Sequence, residues 1–388
     1  MFDTLFIGTS GLLGNAKGLK IVSNNLANVN TPGFKGSQLQ FADLFEQGGG
    51  VIAHDGHREP AGQGVASLGA RLNFRPGSDQ STGNALDQSI NGNGMFTLRR
   101  DGELRYTRAG DFQFDAKEVL TNGAGDHVQA LDANGKLVDI TLGGLGRNAA
   151  KASATVKFSG NITTAVAVPP VDTTVNGVTV IDAAGTSHTL ILTIKDAGGG
   201  SYTVGAADST APAVVVGTGT IKFAAGAPVS GSDGFNLTYL QQAVKLDFSG
   251  VVAQGGPSGV SSSQDGYAAG VRTDQTIDSD GTIKVRYSNG QTAKGPRLAL
   301  AQFVTESDLE QAGGGAFTKT RDGVVHYGYA GVDAFGTLTA GHREGSNVDL
   351  AEEFSNLIVM QRGYQAASHV ISTANDMIQE LFDMKGHR

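Results

Sequence analysis

Two apolar stripes, one at each end of the chain, constrain its fold more than anything between them. Leu5, Leu12, Leu19 and Leu26 recur every seven residues, and Val22 and Val29 follow the last two by three. At the other end Leu350, Leu357, Tyr364, Ile371 and Ile378 keep the same spacing, with Met360, Ala367, Ala374 and Leu381 three places after the last four. This is the a/d pattern of a helix that buries a narrow seam against another helix. Gly8 and the polar Asn15 weaken the first two d positions of the first stripe. That helix is expected to stop near Asn30-Thr31-Pro32-Gly33, because proline drives Thr31 out of helical geometry and glycine offers a left-handed cap. Ser346, with Asp349 three residues on, reads as a capping box opening the second helix. A single amphipathic helix is marginal in water, so residues 1–30 and 350–388 are expected to form one helical domain whose halves pair as a coiled coil. The alternative is two amphipathic helices docked on the globular body.

The interior reads as β. Met95-Phe96-Thr97-Leu98 and Leu104-Arg105-Tyr106-Thr107-Arg108 flank Arg100-Asp101-Gly102-Glu103, and Asp-Gly between two β-rich runs signals a hairpin. Asp132-Ala133-Asn134-Gly135 marks a second turn, and Asn176-Gly177 reads as a turn signal ahead of a β-branched run. Residues 146–284 shift to Val, Thr, Ala and Gly with few charges, as expected of an all-β domain inserted into the chain. The expected fold is therefore multidomain and mainly β, with terminal α-helices pairing as a coiled coil around nested all-β domains. An extended linker is expected over 31–70, an inner β domain over 71–145 and 285–349, and an inserted outer β domain over 146–284.

Composition narrows the chemistry. The 388 residues include 29 Lys and Arg against 37 Asp and Glu, a net charge of −8, with no Cys and no Trp. An acidic chain without a basic block is poorly suited to phosphate backbones, so no nucleic-acid partner is expected. Lack of Cys excludes disulfides, thiolate metal sites and Cys nucleophiles. The 57 glycines, about twice ordinary usage, fit short strands joined by tight turns. No apolar run approaches the ~18 residues of a membrane helix, and the first residues lack the pattern of a cleaved signal peptide. His54-Asp55-Gly56-His57 could be a metal pair but reads as a solvated loop. Asp278-Ser279-Asp280-Gly281 opens like a calcium loop but has no bidentate acid at the twelfth position, so a plain turn is expected. No P-loop, nucleophile elbow or dinucleotide fingerprint occurs in a fitting context. No enzyme, metal or cofactor is expected.

Longer motifs carry a resemblance. The stretch from Ser10 to Lys35, with Ser23-Asn24-Asn25-Leu26-Ala27-Asn28-Val29-Asn30-Thr31-Pro32-Gly33-Phe34-Lys35 at its core, resembles the opening signature of the bacterial flagellar rod and hook family. Ser346-Asn347-Val348-Asp349-Leu350 and Gln361-Arg362-Gly363-Tyr364-Gln365-Ala366 resemble that family's closing signature. Between them, Ala85-Leu86-Asp87-Gln88-Ser89-Ile90 and Tyr106-Thr107-Arg108-Ala109-Gly110-Asp111-Phe112 resemble a stretch common to hook and distal rod members. Leu246-Asp247-Phe248-Ser249-Gly250, Gln264-Asp265-Gly266-Tyr267 and Tyr287-Ser288-Asn289-Gly290-Gln291 resemble the hook members in particular.

The resemblance implies a structural subunit of the flagellar hook, a hollow, bendable helical tube that acts as a universal joint carrying motor torque from rod to filament. The alternative is a distal rod subunit. It implies many copies of the same chain as the main partner. It also implies contacts with the distal rod protein, the hook cap protein, the hook–filament junction protein and the flagellar export apparatus, without membrane insertion. The implied location is the hook of the basal body, reached through the flagellar type III system without a cleaved signal. Subunit contacts are expected from Leu5, Leu12, Leu19, Leu26, Asn25, Asn28, Leu350, Leu357, Gln361, Tyr364, Ile371 and Ile378, with the ends largely unfolded until neighbours cover them. For Asn24, Asn25 and Asn28 two readings stand side by side: their amides close the helix, or they bond neighbouring subunits.

Overall fold

The computed structural model describes residues 2–45, 62–164 and 172–386. The chain is mainly β, with one long helix near each end. By internal contacts it divides into two compact units. One comprises Met1–Gly143, Gln275–Lys284 and Lys294–Arg388; the other comprises Gly144–Asp274 and Val285–Ala293. The inserted unit thus ends ten residues before the expected boundary at 284 and takes back the short turn segment 285–293. The composition shift marks the low-charge strands but not that returning hairpin. Both helices group with the first β unit.

In that first unit, α1 (Phe2–Ala27) and α2 (Leu350–Gly386) run antiparallel and pack side by side. The chain leaves α1 through Asn28–Asn30, and Gly33 adopts φ +65°, as the Thr-Pro-Gly signal predicts. Asp349, not Ser346, caps α2: its Oδ1 accepts from Ala351 N at 2.8 Å and from Glu352 N at 3.3 Å. The Ser346 Oγ accepts only from Val348 N, at 3.3 Å, one turn too early. An aspartate adjacent to the first helical residue satisfies the orphan amides directly.

The expected linker is not extended throughout. Within it, β1 (Ser37–Phe45) and β2 (Gly62–Leu72) form an antiparallel hairpin packed on α1. Leu39 and Phe41 alternate with polar residues there, and a Cβ on Gly14 of α1 would lie 2.9 Å from Phe41 Cε1. His54 and His57 lie outside the described residues.

The β core of this unit is a ten-stranded sheet centred on Met95–Arg100. That strand pairs with Glu103–Thr107 through the expected hairpin, where Asp101 and Gly102 both take positive φ. It also pairs with His127–Leu131 and Leu300–Phe303. Phe96, Leu98, Leu120, Val128, Ile140 and Leu300 are fully buried along it. The Phe96 and Phe112 rings meet edge to face at 4.9 Å. Asp132–Gly135 forms the second expected turn, its Oδ1 accepting from Asn134 N and Lys136 N. Asp278–Gly281 is likewise a turn, closed by Gly281 N on Asp278 O at 2.9 Å.

The second unit holds a four-stranded and a five-stranded sheet around one apolar core. Phe158 and Phe248 stack there at 4.3 Å. The strand Gln242–Gln254 alternates buried and exposed residues until Ser249-Gly250, where a shift in register restores the phase and puts Val251 back in the core. Asn176-Gly177 is not a turn. It is a bulge inside the strand Thr173–Ile181, with Gly177 at φ +73° and the register slipping between Val175 and Val178. An Asn-Gly pair supplies positive φ equally well to either structure. Among the described residues no helix is long and apolar enough to cross a membrane.

Candidate assembly surface

The two helices meet along a seam of small residues. A Cβ on Gly18 would lie 2.6 Å from Met360 Sδ, one on Gly8 2.9 Å from Ile371 Cγ1, and one on Gly363 2.6 Å from Asn15 Oδ1. Gly11 faces Ala367. Gly8 and Asn15, expected to weaken the seam, are where the backbones approach, because Gly8 itself and Gly363 opposite Asn15 lack a side chain. Ile371 thus packs in the seam, and Leu5, Leu12, Leu19, Leu26, Leu357 and Ile378 are, like it, half-buried within one chain. Leu350, Gln361 and Tyr364 are exposed.

Asn25 is not available to a neighbour, being 1 % exposed. Its Nδ2 donates to Ser37 O and to Glu353 Oε1, both at 2.8 Å, and its Oδ1 accepts from Ser37 N at 3.0 Å. One amide thus ties α1, β1 and α2 together, a use that sequence spacing does not reveal. Asn28 stays local: its Nδ2 donates to Asn24 O at 2.9 Å and its Oδ1 accepts from Thr31 at 3.1 Å, closing the helix. Asn25→Ala would strand the Ser37 amide and the Glu353 carboxylate. An expected loss of about 1–3 kcal/mol can be read from thermal unfolding of the dilute chain followed by helical circular dichroism.

Three charged residues absent from the expected set hold the chain where it leaves α1. Lys35, Arg108 and Glu344 are all buried. Lys35 Nζ donates to Glu344 Oε1 at 2.5 Å and to Arg75 O at 2.7 Å. Arg108 Nη1 donates to Glu344 Oε2 at 3.3 Å, and its Nη2 to Gly92 O at 2.7 Å. Gly77 N also donates to Glu344 Oε1, at 3.0 Å. Burial pushes the Lys35 ammonium and the Arg108 guanidinium below their ordinary ranges, while Glu344 pulls both back up. The signal was a cation near glycine in each of two mostly uncharged motifs.

Much of what the helix pair leaves uncovered is apolar. On α2, Leu350, Phe354 and Ile358 recur every four residues and so share one face, and Phe354 and Ile358 are 52 % and 55 % exposed. Val370, Met377, Leu381 and Met384 continue the exposed apolar positions toward its end, and Phe6 and Leu13 stand exposed on α1. With 37 residues against 26, α2 runs past the start of α1 in this antiparallel register. Rows of this length exposed on a helix mark an interaction surface.

Comparison with known proteins follows this geometry. Residues 5–35 match the family described as flagella basal body rod protein, and residues 89–180 match the flagellar hook protein FlgE/F/G D1 domain. Residues 339–384 match the flagellar basal body rod FlgEFG protein C-terminal family. The chain is 31 % identical to the flagellar hook protein FlgE of Escherichia coli, over 97 % of this chain and 98 % of that one. It is also 31 % identical to the FlgE of Borreliella burgdorferi, over 99 % and 100 %. The crystal structure of Helicobacter pylori FlgE2 aligns with 68 % of this chain and 98 % of its own, at 12 % identity and a TM-score of 0.45. End to end, the chain belongs to the flagellar hook protein family.

Proposed function

We infer that this chain is a structural subunit of the bacterial flagellar hook, not an enzyme, and that it assembles through the faces its terminal helices leave bare. The uncovered apolar rows on α1 and α2 carry this reading. A lone chain hides the glycine seam but leaves Phe354, Ile358, Met377 and Leu381 in water. Contacts made by one surface on a different surface of the next copy, repeated without closing, generate a helical polymer. In that polymer the helices line the inner wall of a hollow tube and the β units lie outside, where low charge and abundant glycine give contacts that yield as the tube bends. The helix pair buries little of its own and firms up as neighbours cover it. A distal rod subunit is the less favoured reading, since the relatives matched over their whole length are hook proteins. The further partners are the distal rod protein, the hook cap protein, the hook–filament junction protein and the flagellar type III export apparatus that carries the chain out.

The test is the double variant Phe354→Ser, Ile358→Ser. Both side chains are exposed, so the subunit keeps its fold. Burying each against a neighbour is worth about 1.5–3 kcal/mol. The critical concentration for polymer formation, measured by sedimentation and electron microscopy, is expected to rise at least about tenfold. A variant that polymerises like the intact chain would refute the assignment of this face.

A further inference from the structure

At the base of the helix pair, a cavity of about 220 Å³ opens between α1, α2 and β1. Ile21 and Met360 supply apolar wall, and Gln38, Asn356, Glu352 and Glu353 supply polar wall; among the described residues no Lys or Arg lines it. Glu353 is 9 % exposed. Its Oε1 accepts from Asn25, but its Oε2 is buried with no hydrogen-bond partner among the described residues. Burial raises its carboxyl above the ordinary range; the Asn25 hydrogen bond opposes that and the neighbouring Glu352 adds to it. A buried carboxylate oxygen left without a donor is costly. The cavity has room for several waters' worth of side chain.

We propose that this cavity receives a cationic side chain from a second copy of the chain, and that the occupant is Arg362. Charge complementarity and position select it: Arg362 follows Leu350, Phe354 and Ile358 at four-residue spacing, on the face assigned above to assembly. Two carboxylates line a site that contains no cation, while Arg362 stands exposed on α2 without an ion-pair partner among the described residues. A guanidinium offers paired N–H donors to carboxylate oxygens, and its aliphatic stem can lie along Ile21 and Met360. The site rests on the hook-subunit reading and deepens it, since the contact links one copy's helix pair to the next.

Sedimentation of the intact chain, Glu353→Gln, Arg362→Gln and the double variant tests this. Each single variant is expected to raise the critical concentration about tenfold, and the double no further than the more severe single, because both remove one contact. Effects that multiply, or an Arg362→Gln protein that polymerises within twofold of the intact chain, overturn the proposal. Arg362 is exposed, so that variant cannot fail by unfolding, and helical circular dichroism checks the near-isosteric Glu353→Gln. If Phe354→Ser, Ile358→Ser blocks assembly while both charge variants behave as intact, only this contact is wrong. If none of the variants changes assembly, the reading of the helix faces falls with it.

Discussion

Glu344→Ala is expected to destabilise the unit that carries both helices by about 3–5 kcal/mol, the cost of stripping the counter-charge from a buried ion pair. Two cations depend on this one carboxylate. Lys35 has 0 % of its side chain exposed and Arg108 9 %, so neither can turn to water. Arg75 O would remain to Lys35, and Ile90 O and Gly92 O to Arg108, but carbonyls do not neutralise a charge. Glu344→Gln keeps the shape and removes the charge, so it is expected to cost nearly as much. Adding Lys35→Met to Glu344→Gln should recover part of the loss, because one uncompensated cation is then gone. Denaturant unfolding of the dilute chain measures all three. A loss below about 1 kcal/mol for Glu344→Ala would show that the cluster does not hold the segment after α1.

That cluster was not legible in the sequence, whereas other parts of the fold were. Helix existence was readable because seven-residue spacing is a local signal; α1 stops at Ala27 and α2 starts at Leu350, close to the predicted ends. The Asp101-Gly102 hairpin and the Asp132 turn were readable for the same reason, since two adjacent residues decide the backbone. The contact face was readable in part: the d positions Gly8, Asn15, Met360 and Ala367 lie at the seam and Val22 and Ala374 are buried, but the leucines of the a row do not mark the closest approach. Leucine periodicity finds the wide flank of a helix, whereas here the closest approach falls on Gly8, Gly18 and Gly363, where the signal is an absent side chain. Asn25 and Glu353 lie 328 positions apart, and no spacing rule links them. The β1–β2 hairpin was missed because its alternation is weak and its strands are separated by a long intervening segment. The bulge at Asn176-Gly177 shows that a positive-φ signal locates a backbone departure without saying whether the chain reverses there.

The same limit frames Gly33→Ala, expected to cost about 3 kcal/mol or more. Gly33 sits at φ +65°, a left-handed conformation that costs a residue with a Cβ about 1–2 kcal/mol. Space is the larger problem. The added Cβ would lie 2.3 Å from Ala109 N and 2.8 Å from Ala109 Cα and Arg108 C. These are backbone atoms of a segment pinned by the buried Arg108, so they cannot swing aside as a side-chain tip could, and overpacking adds about 1–3 kcal/mol. Gly33 N also donates to Glu344 O at 2.7 Å, so displacing it pulls on the residue that neutralises Lys35 and Arg108. Gly135→Ala separates the two contributions: Gly135 has φ +75° and nothing within 4 Å of its added Cβ, so only the conformational cost applies. Because Gly33 sets the path from α1 into β1, its variant is expected to disturb the Asn25 clasp and to raise the critical concentration for assembly, whereas Gly135→Ala should leave assembly unchanged. Equal losses of stability in the two variants would mean that the contact with Ala109 relaxes freely and that Gly33 acts through φ alone.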